Sequence, residues 1–341
     1  MKVAFHTDQL WFAAPGGIGT YVRALLGAFG SLDDGPEITT FQVGTPNDRR
    51  KADTVVPGSI RTVYPRWNLS GHPRLPSALA TCDVVHATNP AAVPPVDLDQ
   101  ALVVTVHDVA FDVFPSAFPP TWRWLYRAGV RAAARRGDVL LAPSRSTAAD
   151  LEERHGVDPR RIRVTPLAAS LPTTTADPAT TLTVLGIEPP YILCPATLEP
   201  RKNQVRLIRA YRQIALDVPH ALVLCGPDGW GTHEIEAELA REGPGHIIRT
   251  GLVSDAQLDA LLRAADLVAY VSLYEGFGLP IIEAMARGTP VLGSTTPAVA
   301  ETAGDAAVLV DPSDVAAIAE GLVRMLTDEA LRADLMAKGP E

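Results

Sequence analysis

Lysine is scarce in this 341-residue chain, where four stand against 26 arginines, so a lysine placed in a turn carries more information than usual. Cysteine is scarcer still. Cys82, Cys194 and Cys225 cannot all pair within the chain and lack metal-type spacing, which argues against a disulfide framework or a zinc site and leaves buried free thiols. No apolar run approaches the roughly 18 to 20 residues that a membrane-spanning helix requires. The opening "MKVAFHTDQL" reads as a first strand rather than a signal peptide, and a cytoplasmic protein is expected. Positive charge is in deficit, with a formal net charge of −9. Phosphate neutralisation supplies most nucleic-acid affinity, so nucleic acid is not the expected partner. No G-x-G-x-x-G follows any strand-like run, which ranks a dinucleotide oxidoreductase last.

What the chain does have is an ordinary globular composition, 47% hydrophobic and 20% charged. Its length exceeds the usual size of one core, and two domains of about 150 to 180 residues are the default. Charge divides the same way: residues 1–170 hold 18 basic and 16 acidic side chains (+2), residues 171–341 hold 12 and 23 (−11). Short, nearly unbroken apolar runs such as "KVAF", "DVVHAT", "ALVVTVHD" and "DVLLAPS", then "YILCPA", "ALVLCG", "HIIRTG" and "DLVAYVS", suit parallel strands buried on both faces. Helical stretches at 20–29, 121–136, 147–155, 204–215, 257–264 and 315–326 lie between them. The fold class expected is α/β, with two doubly wound Rossmann-like domains facing a central cleft. They span 1–170 and 191–341, joined by a Thr- and Pro-rich linker at 171–190.

Open α/β sheets bind ligands at the carboxyl ends of their strands, so turns there are the places to look for chemistry. "SLYEGFGLPIIEAMARGTPVLG" (272–293) puts Glu275 at the mouth of a strand, Gly276, Phe277 and Gly278 in a turn, Pro280 at a helix start and Glu283 about one turn inside. Backbone amides at a helix start suit phosphate, whereas ionised carboxylates only accept and suit vicinal hydroxyls. A ribose and a hexose joined by a diphosphate would satisfy the whole arrangement. The plain alternative is a pair of surface helix acids. "TLEPRKN" places Arg201 and Lys202 in a turn where two cations could clamp a diphosphate, or be a solvated basic turn. "WFAAPGGIGTYVRALLGAF" gives a glycine-rich turn with Gly16, Gly17 and Gly19, and "VVTVHDVAFDVFP" sets His107 and Asp108 at another strand end. His107 could hydrogen-bond a sugar hydroxyl or move a proton, although a lone His is more often structural. In 121–136, Arg123, Arg127, Arg131 and Arg135 recur at intervals of four beside Arg136, with Trp122, Trp124 and Tyr126 and no acid. Such a stripe could lie against anionic lipid or be a solvated face with its aromatics packed inward.

Taken together, these segments resemble the family 4 glycosyltransferases, the nucleotide-sugar-dependent retaining enzymes of the GT-B fold. The resemblance runs over nearly the whole chain, and Glu275 and Glu283 match the family's Glu, seven residues, Glu spacing. In motif order it is similar to bacterial mannosyltransferases of polysaccharide or glycolipid assembly. The resemblance implies transfer of a hexose, mannose first, to a saccharide or lipid-linked acceptor. The donor implied is GDP-mannose, or else UDP-glucose or UDP-N-acetylglucosamine, with no metal and no further cofactor. By the same resemblance Glu283 would hold the ribose hydroxyls, and Glu275 with the Gly276, Phe277, Gly278 and Leu279 segment the donor sugar and diphosphate. Arg201 and Lys202 would neutralise the leaving diphosphate. Gly16 and Gly17 would approach the diphosphate or acceptor, His107 would touch the sugar, and the Val253 backbone would lie near the base. Thr197 stands where many relatives carry Arg, and Ala196 and Ala168 where they often carry Gly. The chain ends short of the family's usual final segment, which suggests truncation. The other readings are a GT-B epimerase or phosphorylase, and a nucleotide-sugar-binding protein without catalysis.

Overall fold

Apolar runs too short and too continuous for one-sided burial become parallel strands covered on both faces. The computed structural model describes residues 1–12, 15–45, 52–170, 172 and 174–340, and forms two parallel sheets. The chain divides into two units, Met1–Pro115 with Pro119–Leu167 and Ser116–Phe118 with Ala168–Glu341.

The first unit carries β1 (Lys2–His6), β2 (Glu37–Gly44), β3 (Thr54–Pro57), β4 (Val84–Ala87), β5 (Ala101–Thr105), β6 (Val139–Ala142) and β7 (Ile162–Val164), in the order β3-β2-β1-β4-β5-β6-β7. The second carries β8 (Tyr191–Pro195), β9 (Ala221–Cys225), β10 (Ile247–Gly251), β11 (Leu267–Tyr270), β12 (Val291–Ser294) and β13 (Val308–Val310), in the order β10-β9-β8-β11-β12-β13. In each sheet the order reverses beside the unit's first strand, between β1 and β4 and between β8 and β11. In open α/β sheets the crevice outside such a reversal is where ligands bind.

The two-sheet α/β class agrees with the sequence reading. β2, β3, β7, β12 and β13 are not among the strands read from the sequence. β3, β7 and β13 are three or four residues long and incompletely covered, β2 opens on the polar and partly covered "EITT", and the fully buried β12 carries only two large apolar residues before Gly293 and Ser294. Part of the stretch expected as linker is also structured. Residues 178–185 form a helix with Asp177 accepting from the Ala179 and Thr180 amides and Gly186 closing it at φ 65. Leu182 and Ile187 bury into the second unit's core. Leu171 and Thr173 lie outside the described residues. Among the described residues no helix is long and apolar enough to cross a membrane.

Candidate functional site

The reversal between β8 and β11 brings two turns side by side. After β8 the chain makes a single 3-10 turn, Pro200–Lys202, before the helix Gln204–Ile214. Asn203 links the two at φ 65, a left-handed conformation that Asn tolerates better than most residues. Its buried side-chain amide donates to the Val271 carbonyl at 2.9 Å and the Pro312 carbonyl at 2.7 Å. The backbone of the β8 turn is thereby tied to the turn after β11, and the Leu273 amide donates to the Arg201 carbonyl at 2.8 Å to complete the tie.

Onto this frame the side chains converge. Lys202 Nζ donates to Glu275 Oε1 at 2.6 Å and to the Tyr270 hydroxyl at 2.7 Å, and that hydroxyl donates to the same carboxylate oxygen at 2.9 Å. Arg201 Nη1 donates to Glu275 Oε2 at 2.9 Å and to the Tyr274 carbonyl at 3.1 Å, while its Nε lies 2.9 Å from Glu199. Burial by itself would raise the Glu275 pKa, but Lys202 and Arg201 outweigh it and hold the carboxyl at about 2. Lys202 is pushed down by burial and by Arg201, against the pull of Glu275. Burial and the neighbouring Glu275 carboxylate push Tyr270 well up. Glu275, expected with the following amides at the donor sugar and diphosphate, and Arg201 and Lys202, expected at the leaving diphosphate, are here one ion-paired cluster.

Downstream, Gly278 at φ 107 opens the helix Leu279–Met285, with Pro280 in its first turn. Phe277 is buried, and its carbonyl accepts from Thr302 at 2.7 Å. Glu283 sits on this helix, 7% exposed. Arg287, one turn on, gives its Nε to Asp259 and its Nη1 to the Glu283 carbonyl, so the Glu283 carboxylate takes no hydrogen bond from any described residue. Burial lifts its pKa to about 7, against Arg287 and with help from Asp255. Val253 follows the exposed Leu252 and packs part-buried on the core, at the end of β10 rather than in the ion-paired cluster.

The first unit repeats the plan at β1 and β4. Gly16, at φ 59, and Gly17 open the exposed start of the helix Gly16–Gly30, and a Cβ on Gly16 would meet nothing within 4 Å. That helix lays Tyr21 edge-on against the His107 ring, with centroids 4.9 Å apart. His107 Nε2 lies 2.9 Å from the Thr88 carbonyl, an oxygen that only accepts, so Nε2 carries the proton and Nδ1 is left as an acceptor. Loss of water lowers the ring's pKa despite the Thr88 carbonyl and Asp108, which keeps it neutral near pH 7.

Tyr270 and Asn203 carry the cluster and escaped the sequence reading. A lone Tyr ending an apolar strand looks like core, whereas an Asn directly after "RK" and before a helix was a readable signal for a left-handed residue. Beside Ala196, Gly226 at φ 152 lets the backbones after β8 and β9 approach closely, since a Cβ there would clash with the Ala196 carbonyl. The arginine stripe on the helix Pro120–Arg136 is partly paired with groups from outside that helix. Arg127 pairs with Asp112 from the preceding short helix, Arg136 donates to the Trp67 and Val93 carbonyls, and Tyr126 stacks on Phe111. Trp124 remains exposed.

Two family models match the chain: Glycosyltransferase Family 4 over residues 15–170 and Glycosyl transferases group 1 over residues 183–341. Among curated proteins, the chain is 32% identical over 248 residues to O-antigen chain mannosyltransferase B of Escherichia coli, covering 70% of this chain and 65% of that one. It is 33% identical over 203 residues to MMP alpha-(1->4)-mannosyltransferase of Mycolicibacterium hassiacum, covering 58% and 47%. The chain thus spans less than two thirds of these relatives' length. Among solved structures, HepE of Anabaena in complex with UDP-glucose superposes with a TM-score of 0.74 at 18% identity, covering 100% of this chain and 93% of that one. WaaG, a glycosyltransferase involved in lipopolysaccharide biosynthesis, gives 0.70 at 18%, covering 99% and 94%. At that identity the likeness is one of fold.

Proposed function

The chain belongs to the family 4 glycosyltransferases, and from that premise we propose that it moves a hexose from a nucleoside-diphosphate sugar to a saccharide or lipid-linked acceptor with retention of anomeric configuration. The observation that carries the proposal is the cluster of Arg201, Lys202, Tyr270 and Glu275 at the strand-order reversal between β8 and β11. A departing diphosphate needs its growing charge met by donors already in place. Here two cations are held there by a carboxylate whose own charge is fixed, and in this reading they take the part that a bound metal plays elsewhere. Mannose is the sugar proposed, and GDP-mannose the donor, because the curated relatives above are named mannosyltransferases.

In the step itself the bond from the sugar C1 to the phosphate oxygen breaks and the bond from C1 to the acceptor oxygen forms on the same face. The acceptor proton passes to the leaving phosphate oxygen. Glu275 is a poor covalent nucleophile, because both of its oxygens are bound by Lys202, Tyr270 and Arg201. Glu283 is assigned to the ribose hydroxyls, and His107 Nδ1 to a sugar hydroxyl that donates to it. Amides of Gly276, Phe277, Gly278 and Leu279 are assigned to the diphosphate, with Gly16 and Gly17 approaching it or the acceptor, and the Val253 backbone to the base. Proton NMR of the product formed from GDP-mannose, UDP-glucose or UDP-N-acetylglucosamine in EDTA tests the reading. An α-linked mannoside is expected from GDP-mannose. An inverted product, or a glycosyl group trapped on a side chain, contradicts it.

A further inference from the structure

A second concentration of cationic groups lies in the first unit, on elements that the transfer reaction does not use. Side chains from the helices at residues 110–113, 120–136 and 145–155 line an open polar pocket of ≈ 400 Å³, formed by Asp112, Arg127, Arg131, Arg154 and His155. Three guanidiniums face it against one carboxylate. That carboxylate is already used on both oxygens: Oδ1 pairs with Arg127 Nε, and Oδ2 lies 3.0 Å from His155 Nε2. Arg154 is paired along its own helix with Asp150 at 2.7 Å. Arg131 makes no hydrogen bond or ion pair with any described residue, although it stands one helical turn from Arg127 on the same face. Like charges at that spacing repel one another unless an anion lies between them.

We propose that this pocket binds a phosphate group. A planar guanidinium offers paired donors that match an oxyanion's geometry, and Arg131, with Arg127 and Arg154 at its flanks, presents such a fork to a space within the usual size range of small-ligand sites. Asp112 positions Arg127 and His155 rather than meeting the ligand, since its oxygens are taken. The same chemistry is offered by a lipid headgroup phosphate and by a soluble phosphate ester.

The test follows the His155 Cε1–H resonance while inorganic phosphate is added to wild type, Arg131→Glu and Lys202→Ala. Arg131 is exposed and holds no structural bond, so its replacement leaves the fold intact. The expected result is a saturable shift in wild type and in Lys202→Ala, with affinity lowered by roughly tenfold or more in Arg131→Glu. A shift that does not saturate, or that Arg131→Glu leaves unchanged, overturns the proposal. Co-sedimentation with phosphatidylcholine vesicles, with and without phosphatidylglycerol, then assigns the source. Binding to the anionic vesicles that Arg131→Glu abolishes means a lipid headgroup. A saturable shift with vesicle binding absent or indifferent to Arg131 means a soluble phosphate ester.

Discussion

Glu275 and Glu283 are two carboxylates eight positions apart whose surroundings drive them in opposite directions, to about 2 and about 7. The difference is one of partners, since burial raises both. Removing one member of the Glu275 cluster leaves an incompletely paired buried charge, so Lys202→Met should destabilise the second unit by about 3 kcal/mol in urea unfolding. The double variant Lys202→Met/Glu275→Gln should recover about 1 kcal/mol or more of that loss, and simple additivity would deny that the two groups act together. Glu283 gives a pH signature. Its folded pKa lies above the unfolded value of 4.5, so its stabilising contribution is full below that value and is lost as pH rises through about 7. Unfolding free energies measured from pH 5 to pH 8 should fall by up to about 3 kcal/mol on this account, and Glu283→Gln should flatten the curve. Nucleotide affinity should move the other way, rising with pH over the same window as the carboxylate becomes an acceptor for the ribose hydroxyls.

At the scale of elements, one residue without side-chain chemistry of its own, Gly226, lets the ends of β8 and β9 pack closely. Gly226 combines a φ of 152 with a Cβ position blocked by the Ala196 backbone. Gly226→Ala should therefore lower stability by about 2 to 4 kcal/mol, read as a lower thermal midpoint and weaker donor binding. An unchanged midpoint would mean that β8 and β9 can separate at their ends without loss. The sequence made the central strands and the turns after β8 and β11 legible, because "YILCPA" and "DLVAYVS" are continuous apolar runs and "RKN" and "YEGFG" interrupt them. It did not reveal the direct contact between Glu275 and the Arg201–Lys202 pair. That contact joins residues more than 70 positions apart and depends on β8 and β11 being neighbours, a pairing that propensity does not encode. Edge strands such as β3 and β13 were invisible for another reason: they are three or four residues long and only partly covered.

For the molecule as a whole, the repeated strand order makes each sheet present one ligand-binding reversal, and charge is distributed unequally between the halves, +2 against −11. The negative half carries the proposed diphosphate site, so the local cations must overcome an unfavourable background, and donor affinity should weaken less with salt than a basic protein's would. Calorimetric titration with GDP-mannose in EDTA, compared across wild type, Lys202→Met/Glu275→Gln and Glu283→Gln, tests the central claim most directly. Metal-free binding is expected, stabilising the wild type by about 2.7 kcal/mol at a hundredfold excess over Kd, with affinity lower by about tenfold or more in both variants. Binding that requires a divalent metal, binding indifferent to both variants, or stabilisation by NAD alone among sugar nucleotides and dinucleotides would contradict it.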